Sequence, residues 1–493
     1  MVNLLLVGVG PHSKRIYLPL IKKYKDKYNI NLKIIVDIEK NKKELHNYLK
    51  KNDFEIEEYY VNYNIDKEYH INNEDLENLN KLVRKYKINA MILATDPLAH
   101  KSYMDFALEN GINILMDKPV TTEIDASTNQ GQAKKIFNDF VKILDKYHKA
   151  EEKYPSLIVS CLSQRRYHPA INKIRGELQR VYERTNCPIT SIICEHSDGQ
   201  WRMPDEIISE KYHGYTNGIG KCSHSGYHFF DIMHWFGEIS KENCKIYDKI
   251  TCYSSFTRPS DWISQLNIED YKKIFGNSYN NGKFNLSNEE FIEKTKNFGE
   301  IDAHLNFSFY KDNNKLLNIQ FSLLHNGFSR RSWVEARENL YKGNGRIRHE
   351  YFSIHQGPFQ SIKYESYQSD QIDNETLMGS GQVGGELHSD VYIFRNSKAI
   401  GIDLPPMEQI QFGIVNENGL QGYSRGHQED ARGECFKEFM MAVNGEIPKG
   451  KLKSSIEAHK GSVTLMSLAY LSGAKIFNGK ENPIATFDGN CIK

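Results

Sequence analysis

Residues 2–10 read Val-Asn-Leu-Leu-Leu-Val-Gly-Val-Gly and run on into Pro11-His12-Ser13. Val2 to Val7 is a largely apolar run, as expected of a strand buried on both faces. It breaks at Gly8-Val9-Gly10. A helical pattern follows, with Ile16, Leu20 and Ile21 at helix-like spacing and Lys or Arg between them. A strand, a glycine turn and a helix start together make an anion site. Free backbone N–H groups and the helix dipole point at the ligand, and glycine lets a pyrophosphate approach the backbone. Gly8 and Gly10 fill the first two glycine places of the dinucleotide fingerprint. Ser13 stands where the third would be Gly or Ala, and it is small enough for close helix packing.

The alternation continues outward from this turn. Leu32 to Val36 reads as a second strand ending at Asp37, where a carboxylate can accept hydrogen bonds from an adenosine ribose. A 2′-phosphate there would meet a like charge, and Ile38 and Glu39 offer no Arg, so the pattern favours NAD over NADP. Residues 43–78 read as a helix plus a surface excursion. Leu79–Tyr86, His100–Glu109 and Ala133–His148 read as helices. Ala90–Ala94, Ile112–Met116 and Leu157–Leu162 read as strands. The strand at Ala94 ends in Thr95-Asp96-Pro97, and the one at Met116 in Asp117-Lys118-Pro119. Strands alternating with helices predict a parallel sheet with right-handed crossovers. The α/β Rossmann domain is expected over residues 1–158. Gly379-Ser380-Gly381-Gln382-Val383-Gly384 fits G-x-G-x-x-G letter for letter, but it lacks a buried strand before it and a helix after it, and it reads as a loop.

Composition narrows the function. The chain has 493 residues, 39% hydrophobic and 26% charged, with 64 Lys+Arg against 63 Asp+Glu, for a net charge of +1. No bulk electrostatic footprint for nucleic acid or an anionic membrane is present. None of the 8 cysteines forms a C-x-x-C pair, so zinc-ribbon and thioredoxin readings have no support, and a reducing compartment is expected. No run of 18 apolar residues predicts a membrane helix, and Met1 to Gly10 is too short for a signal peptide. The cytoplasm is the expected location.

Residues 159–493 carry many short strand-like runs, among them Ile189–Glu195, Ala303–Tyr310, Leu317–Leu324 and Arg348–Ile354. They predict an α+β domain with a large, mainly antiparallel open sheet. Residues 221–236 read Lys-Cys-Ser-His-Ser-Gly-Tyr-His-Phe-Phe-Asp-Ile-Met-His-Trp-Phe. On a helix, His224, His228, Asp231 and Trp235 share one stripe. A histidine titrating near neutrality suits general acid/base work on an alcohol. Cys222, His224, His228, Asp231 and His234 are all ligand types, but Ser225-Gly226 breaks the zincin pattern, and no metal is expected. Gln200-Trp201-Arg202, Trp262, Arg330-Arg331 and Tyr364 to Tyr367 are candidate sugar contacts.

Together these pieces resemble the Gfo/Idh/MocA oxidoreductases, the glucose-fructose oxidoreductase and inositol dehydrogenase group. The resemblance also rests on Gln164-Arg165-Arg166-Tyr167-His168-Pro169, on Cys435-Phe436-Lys437-Glu438-Phe439 and on Leu468 to Ala474. It implies a cofactor site made by Gly8, Gly10, Pro11, His12, Ser13, Asp37, Thr95, Asp96, Pro97, His100, Asp117, Lys118, Gln164 and Arg166. It also implies final helices that pack back near the first domain. Asp117-Lys118-Pro119 is a variant of the family's Glu-Lys-Pro, which implies that Lys118 lies near both nicotinamide and the substrate hydroxyl. The family's Asp-x-Gly-x-His-x-x-Asp appears as His224-x-Gly226-x-His228-x-x-Asp231. His228 is then the expected base, Lys118 its electrostatic partner, His224 a substrate contact and Asp231 a further candidate. The expected activity is hydride transfer to or from a secondary alcohol of a sugar or cyclitol by a homodimer or homotetramer formed through the C-terminal sheet. The alternatives are a redox-neutral NAD-using glycosidase or epimerase and a non-catalytic NAD- or sugar-binding module.

Overall fold

The structure, a computed structural model, describes residues 1–62, 69–199, 203–209, 214–243, 246–276, 286–328, 347–369, 387–412, 428–489 and 491–493. The chain divides into two compact units. One comprises Met1–Thr122, Asn138–Tyr167 and Gln428–Val463; the other comprises Glu123–Phe137, His168–His427 and Thr464–Lys493.

The first unit holds β1 (Val2–Val7), β2 (Ile30–Ile38), β3 (Glu57–Val61), β4 (Ala90–Leu93), β5 (Asn113–Met116) and β6 (Val159–Cys161). They form one sheet in the order β3-β2-β1-β4-β5-β6, parallel throughout. The order reverses beside β1, and open α/β sheets bind ligands at the carboxyl ends of the strands at such a point. Strands β1 and β4 are buried on both faces, as their apolar runs require. Strand β3 falls within the stretch read as a surface excursion. Its sequence, Glu-Glu-Tyr-Tyr-Val, buries only Val61, because an edge strand needs no continuous apolar run.

The helix after the glycine turn is broken in two, α1 (Pro11–Arg15) and α2 (Tyr17–Tyr24). Pro19 explains the break. It has no N–H to donate, and its ring collides with the carbonyl four residues back, so the helix must restart within one turn of it. The core of this unit joins Leu4, Leu6, Tyr17, Ile35 and Ile92 to Ala431, Cys435, Phe436, Phe439 and Met440 of the helix Gln428–Val443.

The second unit is built on a ten-stranded sheet. Its strands are β7 (Ser191–Ser197), β8 (Lys249–Thr257), β9 (Asp302–Lys311), β10 (Asn314–Leu324), β11 (Ile347–Gln356), β12 (Gln360–Ser369), β13 (Leu387–Arg395), β14 (Met407–Phe412), β15 (Ala485–Asp488) and β16 (Cys491–Ile492). They run in the order β14-β13-β12-β11-β7-β10-β9-β8-β15-β16. Only the β7–β10 pair is parallel. Alternation along β9 and β10 puts Ala303, Leu305, Phe307, Ile319, Phe321 and Leu323 inside. A second cluster gathers Met203, Ile207, Tyr215, Trp262, Tyr271 and Phe291, so the segments between β7 and β8 and between β8 and β9 share a small core. Among the described residues, no helix is long and apolar enough to cross a membrane.

Candidate functional site

The glycine turn is shaped by its neighbours. Gly8 has φ +86°, and a Cβ there would lie 2.6 Å from the Ala94 carbonyl oxygen, so only glycine fits between β1 and β4. Gly10 caps α1 with φ −71°, and a Cβ there would meet nothing within 4 Å. That open space is what a pyrophosphate needs against the backbone. Pro11 occupies the first helical position, where a missing N–H costs nothing. Ser13 is fully buried, and its hydroxyl donates to the Gly8 carbonyl at 2.6 Å, so the serine in the third glycine place ties the turn to the helix.

Asp37, at the end of β2, is oriented by three donors. Its Oδ2 accepts the Val9 N–H at 2.7 Å, and its Oδ1 accepts the Ile38 N–H at 2.7 Å and the Asn41 side-chain amide at 2.9 Å. The Asp37 carboxylate and the glycine turn are thus one hydrogen-bonded piece. Asn41 carried no signal in the sequence beyond its closeness to Asp37.

After β4, Asp96 caps the turn Pro97–Ala99 by accepting the Leu98 N–H at 3.0 Å, and Thr95 stands half-buried beside it. His100 is fully buried, its Nδ1 3.0 Å from the Pro119 carbonyl. Burial lowers its pKa to about 4, so the ring is neutral. After β5, the Lys118–Pro119 peptide is cis. Lys118 is partly exposed at the carboxyl end of the parallel sheet. Its neighbour Asp117 accepts a hydrogen bond from the Tyr17 hydroxyl, and the His12 Nε2 stands 3.8 Å from the same oxygen. Burial pushes the Asp117 carboxyl up to about 6, against the downward pull of the Tyr17 hydroxyl, Lys118 and Arg432. Tyr17 and Arg432 are contributions from elsewhere in the chain that no local motif announces. Gln164 and Arg166 are enclosed. The Arg166 guanidinium donates to the carbonyls of Lys453 (2.7 Å) and Ala458 (3.0 Å), which makes it a brace of this unit.

In the second unit, His228 and Asp231 lie on the helix Tyr227–Gly237, both buried, Asp231 completely. His224 does not continue that α-helix. It sits in a π-helical turn, Cys222–Gly226, so the regular stripe read from the sequence does not extend to it. Buried polar groups hold this turn. Lys221 Nζ reaches Asp198 Oδ2 (2.7 Å), His196 Nδ1 (3.0 Å) and the Leu324 carbonyl (2.8 Å), and Ser225 Oγ donates to the same Asp198 oxygen at 2.6 Å. Glu300 accepts the Cys222 N–H at 2.8 Å, and the Tyr470 hydroxyl accepts those of Gly220 and Ser223 at 3.2 and 3.1 Å. The His224 ring is parallel to that of His325, centroids 6.4 Å apart, and His325 Nδ1 meets the Tyr215 hydroxyl. Cys222 and His234 do not converge with the other ligand types: the thiol lies against Glu300, and His234 Nε2 meets the Tyr247 hydroxyl.

Two sugar-contact candidates, Trp262 and Tyr364, are packing residues instead, and so is Trp235 of the helix stripe. Trp262 is 2% exposed and packs edge-on against Tyr271; Tyr364, also 2% exposed, stacks on Phe352; Trp235 is covered by the Arg175 guanidinium, 4.3 Å above its ring. Gln200-Trp201-Arg202, Arg330-Arg331 and the 379–385 loop lie outside the described residues.

Residues 2–137 match the Gfo/Idh/MocA family model, described as an oxidoreductase family with an NAD-binding Rossmann fold. The resemblance read from the sequence is borne out. No curated protein matches the sequence. Among solved structures, an oxidoreductase from Agrobacterium radiobacter in complex with NAD+, L-tartaric acid and magnesium is similar at a TM-score of 0.54 and 11% identity, covering 99% of this chain and 98% of its own. An aldose-aldose oxidoreductase from Caulobacter crescentus complexed with glycerol follows at 0.53 and 8%, covering 99% of each chain. A dehydrogenase from Chromobacterium violaceum gives 0.54 and 10%, covering 97% of each. At these identities the likeness speaks for the fold.

Proposed function

We propose, from an N-terminal unit that carries the NAD-binding Rossmann fold of the Gfo/Idh/MocA oxidoreductases, that this protein transfers hydride between NAD(H) and a secondary alcohol of a sugar, cyclitol or sugar derivative. The observation that carries the reading is Asp117-Lys118-Pro119 at the carboxyl end of β5, on the sheet whose first turn has an open glycine cradle tied to Asp37. Bound NAD supplies the hydride acceptor or donor. The chain's residues do the rest. Gly10 leaves room for the pyrophosphate, and Asp37 receives the ribose hydroxyls. With Ile38 and Glu39 following directly, no Arg stands next to it for a 2′-phosphate, so NAD is preferred to NADP. Lys118 stabilises negative charge on the alcohol oxygen, as a preorganised cation does in a partly water-excluded site. His228 takes the hydroxyl proton, Asp231 lies on its helix, and His224 contacts the substrate. One side of the ten-stranded sheet exposes Ile193, Tyr253, Phe394 and Met407, which suits self-association.

The test is a panel of sugars, cyclitols and nucleotide sugars incubated with NAD or NADP, following both nicotinamide absorbance and product mass. Lys118→Ala and His228→Asn should each lose most turnover. Full activity in both would refute the assignment. Product without net absorbance change would replace it with a redox-neutral reaction.

A further inference from the structure

Asp117 joins two elements of the first unit. Its Oδ1 receives the Tyr17 hydroxyl, and the His12 Nε2 lies 3.8 Å from that oxygen; the Asp117 side chain is 21% exposed and that of His12 29%. His12 belongs to α1 behind the glycine turn, and Asp117 follows β5, so the pair spans the point where the strand order reverses. A dinucleotide bound across that point puts its phosphates over the glycine turn and its other half toward β4 and β5.

We infer that Asp117, held between Tyr17 and His12, is the positioning residue through which this protein couples the charge of the nicotinamide to a bound proton. The inference rests on the reading that Lys118 stands at the nicotinamide. The groups facing Asp117 are His12 from α1, Tyr17 from α2, Arg432 from the helix Gln428–Val443, and Lys118 from its own segment. The thiols of Cys161 and Cys435 lie near Tyr17, and Arg15 acts on His12. Burial, with Arg432, Arg15 and Lys118, holds His12 well below the usual imidazole range, so it stays neutral. Tyr17 is pushed well above the phenol range, chiefly by burial. Asp117 is therefore the member that changes charge near neutrality.

The proton balance is simple. A cationic nicotinamide ring beside Asp117 favours the carboxylate, so its proton leaves for water past the partly exposed His12. When the ring becomes neutral on accepting hydride, Asp117 takes a proton back. NAD+ binding must then release more protons than NADH binding.

The experiment is isothermal titration of the full chain with NAD+ and with NADH, each in two buffers of different ionisation enthalpy, from pH 5 to 8. No substrate is needed. In the wild type, NAD+ should release up to about half a proton more than NADH near pH 6. The ratio of NADH to NAD+ dissociation constants should climb with pH over the same window, by at most ~10-fold per unit. In Asp117→Asn both the proton difference and the climb vanish. In Tyr17→Phe, which removes a hydrogen bond to the carboxylate, the window moves to higher pH and persists. Equal proton release for the two nucleotides, or a difference surviving in Asp117→Asn, overturns the inference while leaving hydride transfer intact. Failure of the wild type to bind either nucleotide overturns both.

Discussion

Replacing Gly8 by alanine separates folding from cofactor binding when it is compared with the same change at Gly10. At Gly8 the backbone has φ +86°, and a new Cβ would lie 2.6 Å from the Ala94 oxygen, 2.7 Å from its carbonyl carbon and 2.9 Å from the Thr95 nitrogen. All three are backbone atoms of the β4 end, so no side chain can swing away. The left-handed conformation costs an L-residue roughly 1–2 kcal/mol. Forcing apart two packed strands adds about 1–3 kcal/mol, for a total of about 2–5 kcal/mol. For a unit of this size each kcal/mol moves the melting temperature by about 2–4 °C, so the first thermal transition should fall by roughly 4–20 °C. At Gly10, φ is −71° and the space is open, so Gly10→Ala should leave that transition within about 2 °C. Its methyl group would fill the space proposed for the pyrophosphate, so NAD+ affinity should fall by ~10-fold or more. Calorimetric melting and NAD+ titration on the two variants read both effects. A Gly8→Ala protein as stable as the wild type, or a Gly10→Ala protein with wild-type affinity, refutes this account of the turn.

Other outcomes follow from single residues. Arg166→Met should destabilise the first unit by about 3 kcal/mol or more, measured by denaturant unfolding, because two charge-assisted hydrogen bonds to Lys453 and Ala458 are lost in a buried place. His100 has a folded pKa of about 4, below its unfolded value, so the unfolded chain binds more protons between the two. Its contribution is present above pH ~6.5 and is lost as pH falls through 4, by at most ~3 kcal/mol; His100→Gln should flatten that part of the stability profile. Tyr470→Phe leaves the Gly220 and Ser223 N–H groups without their acceptor. It should cost roughly 2–4 kcal/mol, and, by loosening the turn that carries His224, it should lower turnover more than NAD+ affinity.

The strands of the first unit could be read where they are buried on both faces, because burial leaves an unbroken apolar run. Strand β3 could not: an edge strand with a wet face carries Glu57, Glu58, Tyr59 and Tyr60, which look like loop. Asp37 and Lys118 were legible because they follow buried strands directly. Tyr17 and Arg432 were not, since their closeness to Asp117 arises from packing between distant segments. The π-helical turn around His224 carries no local sequence signal for the same reason. Its unusual winding is held by Asp198, Glu300 and Tyr470, three positions scattered over the chain and marked by no local period.

The segmented make-up of the first unit has a consequence for how the protein comes into being. Its core draws Cys435, Phe436, Phe439 and Met440 from a helix near the far end of the chain, and Arg166 waits for the carbonyls of Lys453 and Ala458. The second unit likewise claims Glu123–Phe137 and Thr464–Lys493. A ribosome delivers residues in order, so the nucleotide-binding half is made first yet stays an exposed, incomplete core until almost the whole polypeptide has emerged. Neither half can mature before the other is nearly finished. Truncation at residue 158 should therefore leave the first unit without the residues that close its core, and it should not fold.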